Sequence, residues 1–179
     1  CMAEPVCDDS LTINDTTYQV PEFWHPHKLD STEIAKPENL VRLPDELTFE
    51  DFRIYVLPET RDAFVSMATE AAKDSVSLRV DSGFRSPAFQ RRVIKRRLSE
   101  GGEFAKIIKM VAPPGYSQHH TGRAIDLVPS EALFVKTDAY RWLTENADRF
   151  GFTESYPKDN ADSVFWEPYH WYYAGDAEE

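Results

Sequence analysis

Apolar residues along the chain repeat with two different periods, behind a first quarter that follows neither. From Pro58 onward Ala63, Phe64, Met67, Ala68 and Ala71 recur at the spacing of one helix face, with Thr60 as a candidate N-cap and an end near Lys73-Asp74. Val76, Leu78 and Val80 then alternate with Ser77, Arg79 and Asp81, the period of a half-buried strand that delivers Ser82-Gly83-Phe84-Arg85-Ser86 to its end. Ser86-Pro87 opens a second helix as N-cap plus first-position proline, and Phe89, Val93, Ile94 and Leu98 are expected to face the core. Gly101-Gly102 stops it. A short helix over Phe104 to Met110 precedes the breaker Pro113-Pro114-Gly115.

Ala124 to Val128 reads as another strand. A helix from about Asp138 to Arg149 turns Tyr140, Leu143 and Ala147 inward and ends before Gly151. Phe152 to Tyr156 and Tyr169 to Tyr173 are two further strand candidates. Short strands mixed with helices predict an α+β single domain with a small antiparallel sheet. Residues 1 to about 45 hold Pro5, Pro21, Pro26, Pro37 and Pro44 and little sustained periodicity, which predicts an extended N-terminal arm wrapped on a domain spanning 46–179. Phe23 and Trp24 are placed to pin that arm. His25-Pro26-His27 has no third ligand close in sequence and reads as a surface loop.

Composition narrows the picture. A chain of 179 residues is of single-domain size, and 41% hydrophobic residues, with 11 Phe, 8 Tyr and 4 Trp, exclude a disordered chain. A formal net charge of −11 opposes nucleic acid as the main partner. The one basic cluster, Arg91-Arg92 with Lys95-Arg96-Arg97, spreads around a helix and reads as a solvated face ahead of an anion-binding patch. No apolar run is long enough for a transmembrane segment. The two cysteines, Cys1 and Cys7, stand outside any motif. A first-position cysteine admits three readings: a possible lipid anchor at Cys1, as in bacterial lipoproteins of the cell envelope or periplasm, a Cys1 to Cys7 disulfide, or an engineering scar.

The candidate chemistry lies in Ser117-Gln118-His119-His120-Thr121-Gly122-Arg123-Ala124-Ile125-Asp126, with Glu167-Pro168-Tyr169-His170 far downstream. On an uninterrupted strand His119 and Asp126 would point to opposite faces, so a turn at Gly122 is needed to bring both to one centre. Hydrolytic zinc has three His, Asp or Glu ligands at about 2.0–2.2 Å and an open fourth position, and His119, Asp126 and His170 supply that set. A base is still needed to take a proton from water; Glu167, three residues before His170, is placed for it. Taken singly, His119 is a hydrogen-bonded loop histidine and Asp126 a carboxylate paired with an arginine; taken together with Glu167 and His170 they favour a metal centre. Adjacency to His119 turns His120 elsewhere.

Ser117, His119, Gly122, Ala124 and Asp126 match the SxHxxGxAxD motif, and the chain resembles the LAS metallopeptidases, within them the VanY-type D-alanyl-D-alanine carboxypeptidases. The likeness runs from about Leu57 to Gly175 and includes Ser82 to Ser86 for SGYRS, Pro114-Gly115-Tyr116-Ser117, Trp142 to Phe152 for WLxxNAxxYGF and Glu167 to His170 for EPWH. The resemblance implies a LAS/hedgehog-like fold and one Zn2+ per chain on His119, Asp126 and His170. It implies Glu167 as general base, Arg85 facing the oxyanion, and Ser117 and Gln90 in substrate contact. Arg85 also fits a plain salt bridge to a neighbouring carboxylate. The implied substrate is the peptidoglycan stem peptide, losing its terminal D-alanine in the cell envelope or periplasm. An L,D-carboxypeptidase, a D,D-dipeptidase or a wall endopeptidase would use the same groups. A non-catalytic zinc-bearing module, as in the hedgehog relatives, has no need of Glu167, and a structural extracellular domain would hold no metal. Phe84 for Tyr, Tyr169 for Trp, and Trp171-Tyr172 where relatives often carry Phe-Arg change the aromatic wall and one positive charge beside the site.

Overall fold

Four strands, far apart in sequence, carry the centre of the molecule: β5 (Val80–Ser82), β6 (Ala124–Leu127), β7 (Phe152–Glu154) and β8 (His170–Tyr173), in the antiparallel order β5-β6-β8-β7. Around them lie α1 (Pro58–Lys73), α2 (Pro87–Ser99), α3 (Phe104–Met110) and α4 (Asp138–Asn146), and two small antiparallel pairs, β1 (Ser10–Ile13) with β2 (Thr16–Gln19) and β3 (Val41–Arg42) with β4 (Tyr55–Val56). This is the α+β arrangement expected from the sequence. The structure is a computed structural model that describes residues 9–160 and 164–175, so Cys1 and Cys7, with the anchor and disulfide readings, lie outside the described residues.

One face of the sheet makes the main core. Phe64, Met67 and Ala71 of α1 and Leu143 of α4 pack on Ile125 and Leu127 of β6, with Val80, Phe152, Trp171 and Tyr173 beside them. Side chains alternate along a strand, so burying Ile125 and Leu127 there forces Asp126 to the opposite face. The core thereby orients the carboxylate. Each large apolar side chain so buried stabilises the fold by about 1.5–3 kcal/mol.

A second core lies under the first quarter of the chain. Within the stretch expected as an extended arm, residues 10–19 form a hairpin: Leu11 and Ile13 alternate inward, and Asn14 and Asp15 take the positive φ values (48° and 62°) of a two-residue turn. With Val20 and Trp24 they cover Ile94 of α2 and Ile107, Ile108 and Val111 at α3. The Trp24 indole N–H donates to the Ile108 carbonyl at 2.8 Å, so this tryptophan does pin the arm. His25 and His27 belong to a 3-10 helix, Glu22–His27.

Several local expectations need correction. Thr60 is not an N-cap: Pro58 occupies the first helical position, Leu57 is the N-cap without a side-chain bond, and the Thr60 hydroxyl is buried and unpartnered. Phe89 is 42% exposed, and Ile94 with Gln90 forms the buried side of α2. Of the predicted 76–81 strand only Val80 and Asp81 belong to β5, whose register against β6 shifts between Val80 and Ser82; β6 ends opposite Val80 and leaves the earlier residues without a ladder partner except Arg79, whose carbonyl accepts from Val128. The predicted helix to Arg149 divides into α4 and a 3-10 turn, Ala147–Phe150, closed by left-handed Gly151. The last two strands are each shorter than expected, at Phe152–Glu154 and His170–Tyr173.

Candidate metal centre and active cleft

All seven residues singled out from the sequence, His119, Asp126, His170, Glu167, Arg85, Ser117 and Gln90, line one cleft of about 290 Å3. Three local structures bring the first four together. His119 sits in a 3-10 turn, Gln118–Thr121, whose N-cap Ser117 accepts the His119 N–H through its hydroxyl at 3.3 Å. The turn ends on Gly122 at φ 71°, which reverses the chain into β6; a Cβ there would stand 3.1 Å from Leu57 Cγ and 3.2 Å from Leu40 Cδ2. Asp126 is then directly opposite His170 in the β6–β8 pairing. Finally, the His170 N–H donates to the Glu167 carbonyl at 2.9 Å, a tight turn with Pro168 at its second position, so Glu167 and His170 share an edge.

One atom from each of His119, Asp126 and His170 lies within 4.8 Å of the others, and all three residues are buried. Their hydrogen bonds decide what those atoms can do. His119 Nδ1 is 2.7 Å from the Gly83 carbonyl oxygen, which can only accept, so Nδ1 carries the proton and Nε2 a lone pair. That buried Nε2 has no hydrogen-bond partner, yet lies 3.1 Å from Asp126 Oδ2. His170 Nε2 is 2.9 Å from Gln118 Oε1, again an acceptor, so its Nδ1 lone pair faces Asp126 Oδ1 at 2.9 Å. Two imidazole lone pairs and a carboxylate converging away from water are costly unless a cation lies among them. Two histidines, one carboxylate and an open side toward the cleft form the donor set of a catalytic metal site.

Charge agrees with this reading. Burial, then the Arg85 guanidinium, pushes the His119 imidazole down to about 4, so it is neutral at neutral pH. Burial by itself would raise the Asp126 carboxyl, but a proton presented to it by either imidazole, His119 above all, and the Arg85 guanidinium outweigh burial and hold it well below the usual carboxylate range. Glu167 behaves oppositely: burial pushes its carboxyl up to about 7, Asp126 adds to this, and His170, Arg85 and a bond from Tyr169 oppose it. Its Oε2 is 3.9 Å from His170 Nδ1, close to the open side. A carboxyl poised near neutrality beside a metal site suits proton transfer.

Arg85 donates to Asp126 Oδ2 at 3.0 Å, the salt bridge considered from the sequence, while its Nε is buried without a partner. Gln90 donates to the Ala112 carbonyl at 2.9 Å, which leaves its buried Oε1 free. His120 turns away as expected: its Nδ1 bonds the Arg85 carbonyl at 2.5 Å, tying that backbone in place. Sequence reasoning missed three residues. Gln118 holds His170, Gly83 holds His119, and Tyr156 stacks on the His170 ring with centroids 5.1 Å apart. Gly83 and Gln118 carried a signal in their places within the stretches 82–86 and 117–126, and Tyr156 carried none; a Cβ at Gly83 would meet Ile54 Cγ2 and the Tyr55 carbonyl oxygen at 2.7 Å, so glycine is what lets this carbonyl reach His119.

Comparison with known proteins gives concordant matches. Residues 53–176 match the family model of VanY, D-alanyl-D-alanine carboxypeptidase. A D-alanyl-D-alanine carboxypeptidase of Enterococcus faecium is 28% identical over 175 residues, covering 96% of this chain and 53% of its own. The chain spans about half the length of three of the curated relatives it matches (55%, 53% and 48%) and 84% of a fourth. Among solved structures, the LdcB LD-carboxypeptidase, described for its peptidoglycan recognition, superposes with TM-score 0.72 at 31% identity over 80% of this chain and 72% of that one. A point mutant of the vancomycin resistance D,D-pentapeptidase VanY from a VanB-type cassette, in complex with Zn(II), superposes with TM-score 0.59 at 27% identity over 75% and 83%.

Proposed function

The chain belongs to the VanY D-alanyl-D-alanine carboxypeptidase family, and from that premise we propose that it is a zinc peptidase releasing the C-terminal D-alanine of peptidoglycan stem peptides. The observation that carries the proposal is Glu167, a half-buried carboxyl raised to about 7 beside three converging ligand atoms. A binding module or a structural domain has no use for that costly group. The site of work is outside the cytoplasm, where peptidoglycan is found.

His119 Nε2, Asp126 and His170 Nδ1 would hold the zinc, as the Zn(II) complex of the VanY relative supports. When bound, zinc supplies Lewis-acid chemistry that makes water nucleophilic near neutral pH and polarises a carbonyl. Glu167 takes a proton from the attacking water as its oxygen bonds the acyl carbon. Arg85 faces the oxyanion that develops. When the carbon–nitrogen bond breaks, Glu167 returns the proton to the leaving amine, and the products are the shortened peptide acid and free D-alanine. Ser117 and the free Oε1 of Gln90 are the polar groups offered to the substrate backbone. Two cations in the cleft, Arg97 and Lys109, have no carboxylate partner among the described residues, which suits a substrate ending in a free carboxylate.

The likeness to LdcB favours a second reading, an L,D-carboxypeptidase acting on the tetrapeptide stem. Incubation of the zinc-loaded protein with tripeptide, tetrapeptide and pentapeptide stems, followed by mass analysis, separates the two. Pentapeptide converted to tetrapeptide is the expected result. Tetrapeptide converted to tripeptide, with the pentapeptide untouched, would replace the first reading by the second, and inert peptides would remove both.

A further inference from the structure

A second concavity, of about 820 Å3, adjoins the cleft, and Asp81, Ser82 and Arg85 line both. Its surface is unusual for this molecule in two independent respects. Six large hydrophobic residues are exposed among the described residues, and three of them, Phe52, Tyr55 and Phe89, line this one groove. It is also cationic in a chain of net charge −11: Arg53 and Arg92 line it with Arg85, and neither Arg53 nor Arg92 has a carboxylate partner among the described residues. The Arg92 guanidinium lies 5.4 Å from the centre of the Phe89 ring, which presents its charge beside an aromatic face. Asp81, the one acid of the lining, already accepts from the Ser130 hydroxyl.

The reaction limits what such a groove can hold. A carboxypeptidase has a single residue on the leaving side of the scissile bond, so a groove of this size continuous with Arg85 serves the acyl side. Its positive charge selects an anion there, and its aromatic walls select a chain with apolar atoms to lay on them. We propose that this groove is a subsite for the acyl-side segment of an acidic peptide. A carboxylate upstream of the scissile bond, such as the glutamyl carboxylate of a stem peptide, meets Arg92 and Arg53 while the neighbouring atoms pack on Phe52, Tyr55 and Phe89. The proposal rests on the carboxypeptidase reading and adds what that reading leaves open: how the enzyme recognises a long stem.

The test uses the zinc-loaded full chain and two pentapeptides ending in D-Ala-D-Ala that differ only in carrying an upstream glutamate or its amide. A hydrogen-bonded charge of this kind is worth about tenfold or more in kcat/KM, so the wild type should prefer the acid by about that factor. The acid-to-amide ratio should fall toward one in the Arg53→Ala/Arg92→Ala double variant, with Arg92→Lys retaining part of it. Calorimetric binding of the acid peptide to the protein should show the same loss. Equal kcat/KM for acid and amide in the wild type, or a preference that survives in the double variant, overturns the proposal. Wild-type protein that binds the acid peptide through these arginines but hydrolyses neither peptide would uphold the subsite and sink the carboxypeptidase reading instead.

Discussion

Gln118→Leu isolates a residue that lines the cleft and holds the ring of a metal ligand in place. In the structure its Oε1 lies 2.9 Å from Nε2 of His170, a ring that is 2% exposed. Leucine has a similar size and no acceptor, so the His170 ring has two choices. It can keep its proton on Nε2, now buried and unpaired at a cost of about 1–3 kcal/mol, or it can move the proton to Nδ1 and lose the lone pair that would meet zinc. Either way the penalty falls on the metal-bound state, and at about 1.4 kcal/mol per tenfold it corresponds to about 5- to 150-fold weaker zinc binding. Loss of a partner that orients a metal-ligating histidine costs about 10- to 100-fold by mutational precedent, which agrees. Competition with a chromophoric chelator near neutral pH gives the zinc dissociation constant, and Gln118→Glu, which restores an acceptor oxygen, should bind zinc close to the wild type. Unchanged zinc affinity in Gln118→Leu, or equal losses in both variants, would refute the tautomer argument.

Two further outcomes follow from the same geometry. Glu167→Gln should keep zinc affinity and thermal stability while kcat falls by about 10²- to 10⁴-fold; loss of zinc in that variant would make Glu167 a ligand and reopen the assignment of Asp126. Gly83→Ala places a Cβ 2.7 Å from Ile54 Cγ2 and from the Tyr55 carbonyl oxygen. Overpacking of this kind costs about 1–3 kcal/mol, or about 2–12 °C in Tm for a chain of this size. Because the Gly83 carbonyl orients His119, zinc affinity should drop as well, and a variant that melts like the wild type with full affinity would count against both roles.

Much of the site was legible because its residues come in short runs whose local conformation they set themselves. Gly122 makes the turn between His119 and Asp126, and Pro168 makes the one between Glu167 and His170. The alternation that buries Ile125 and Leu127 turns Asp126 to the other face before any partner strand is known. The hairpin under the first quarter was legible in principle, since Asn14-Asp15 between Leu11-Thr12-Ile13 and Thr16-Thr17-Tyr18 is a turn signal, but the five prolines of residues 1–45 interrupt any longer periodicity around it.

Tertiary structure alone decided the rest. Gln118 and His170 are 52 positions apart, and Gly83 and His119 are 36 apart, so no local pattern reports which carbonyl or amide holds which imidazole. Phe89 fits the helical period and still faces solvent, because the period gives a helix a face and only the packing of α2 determines where that face points. Glu167 is the clearest instance. Its identity and its distance from His170 along the chain are sequence facts, but its rise toward neutrality comes from burial, a sum over atoms brought in from every part of the chain.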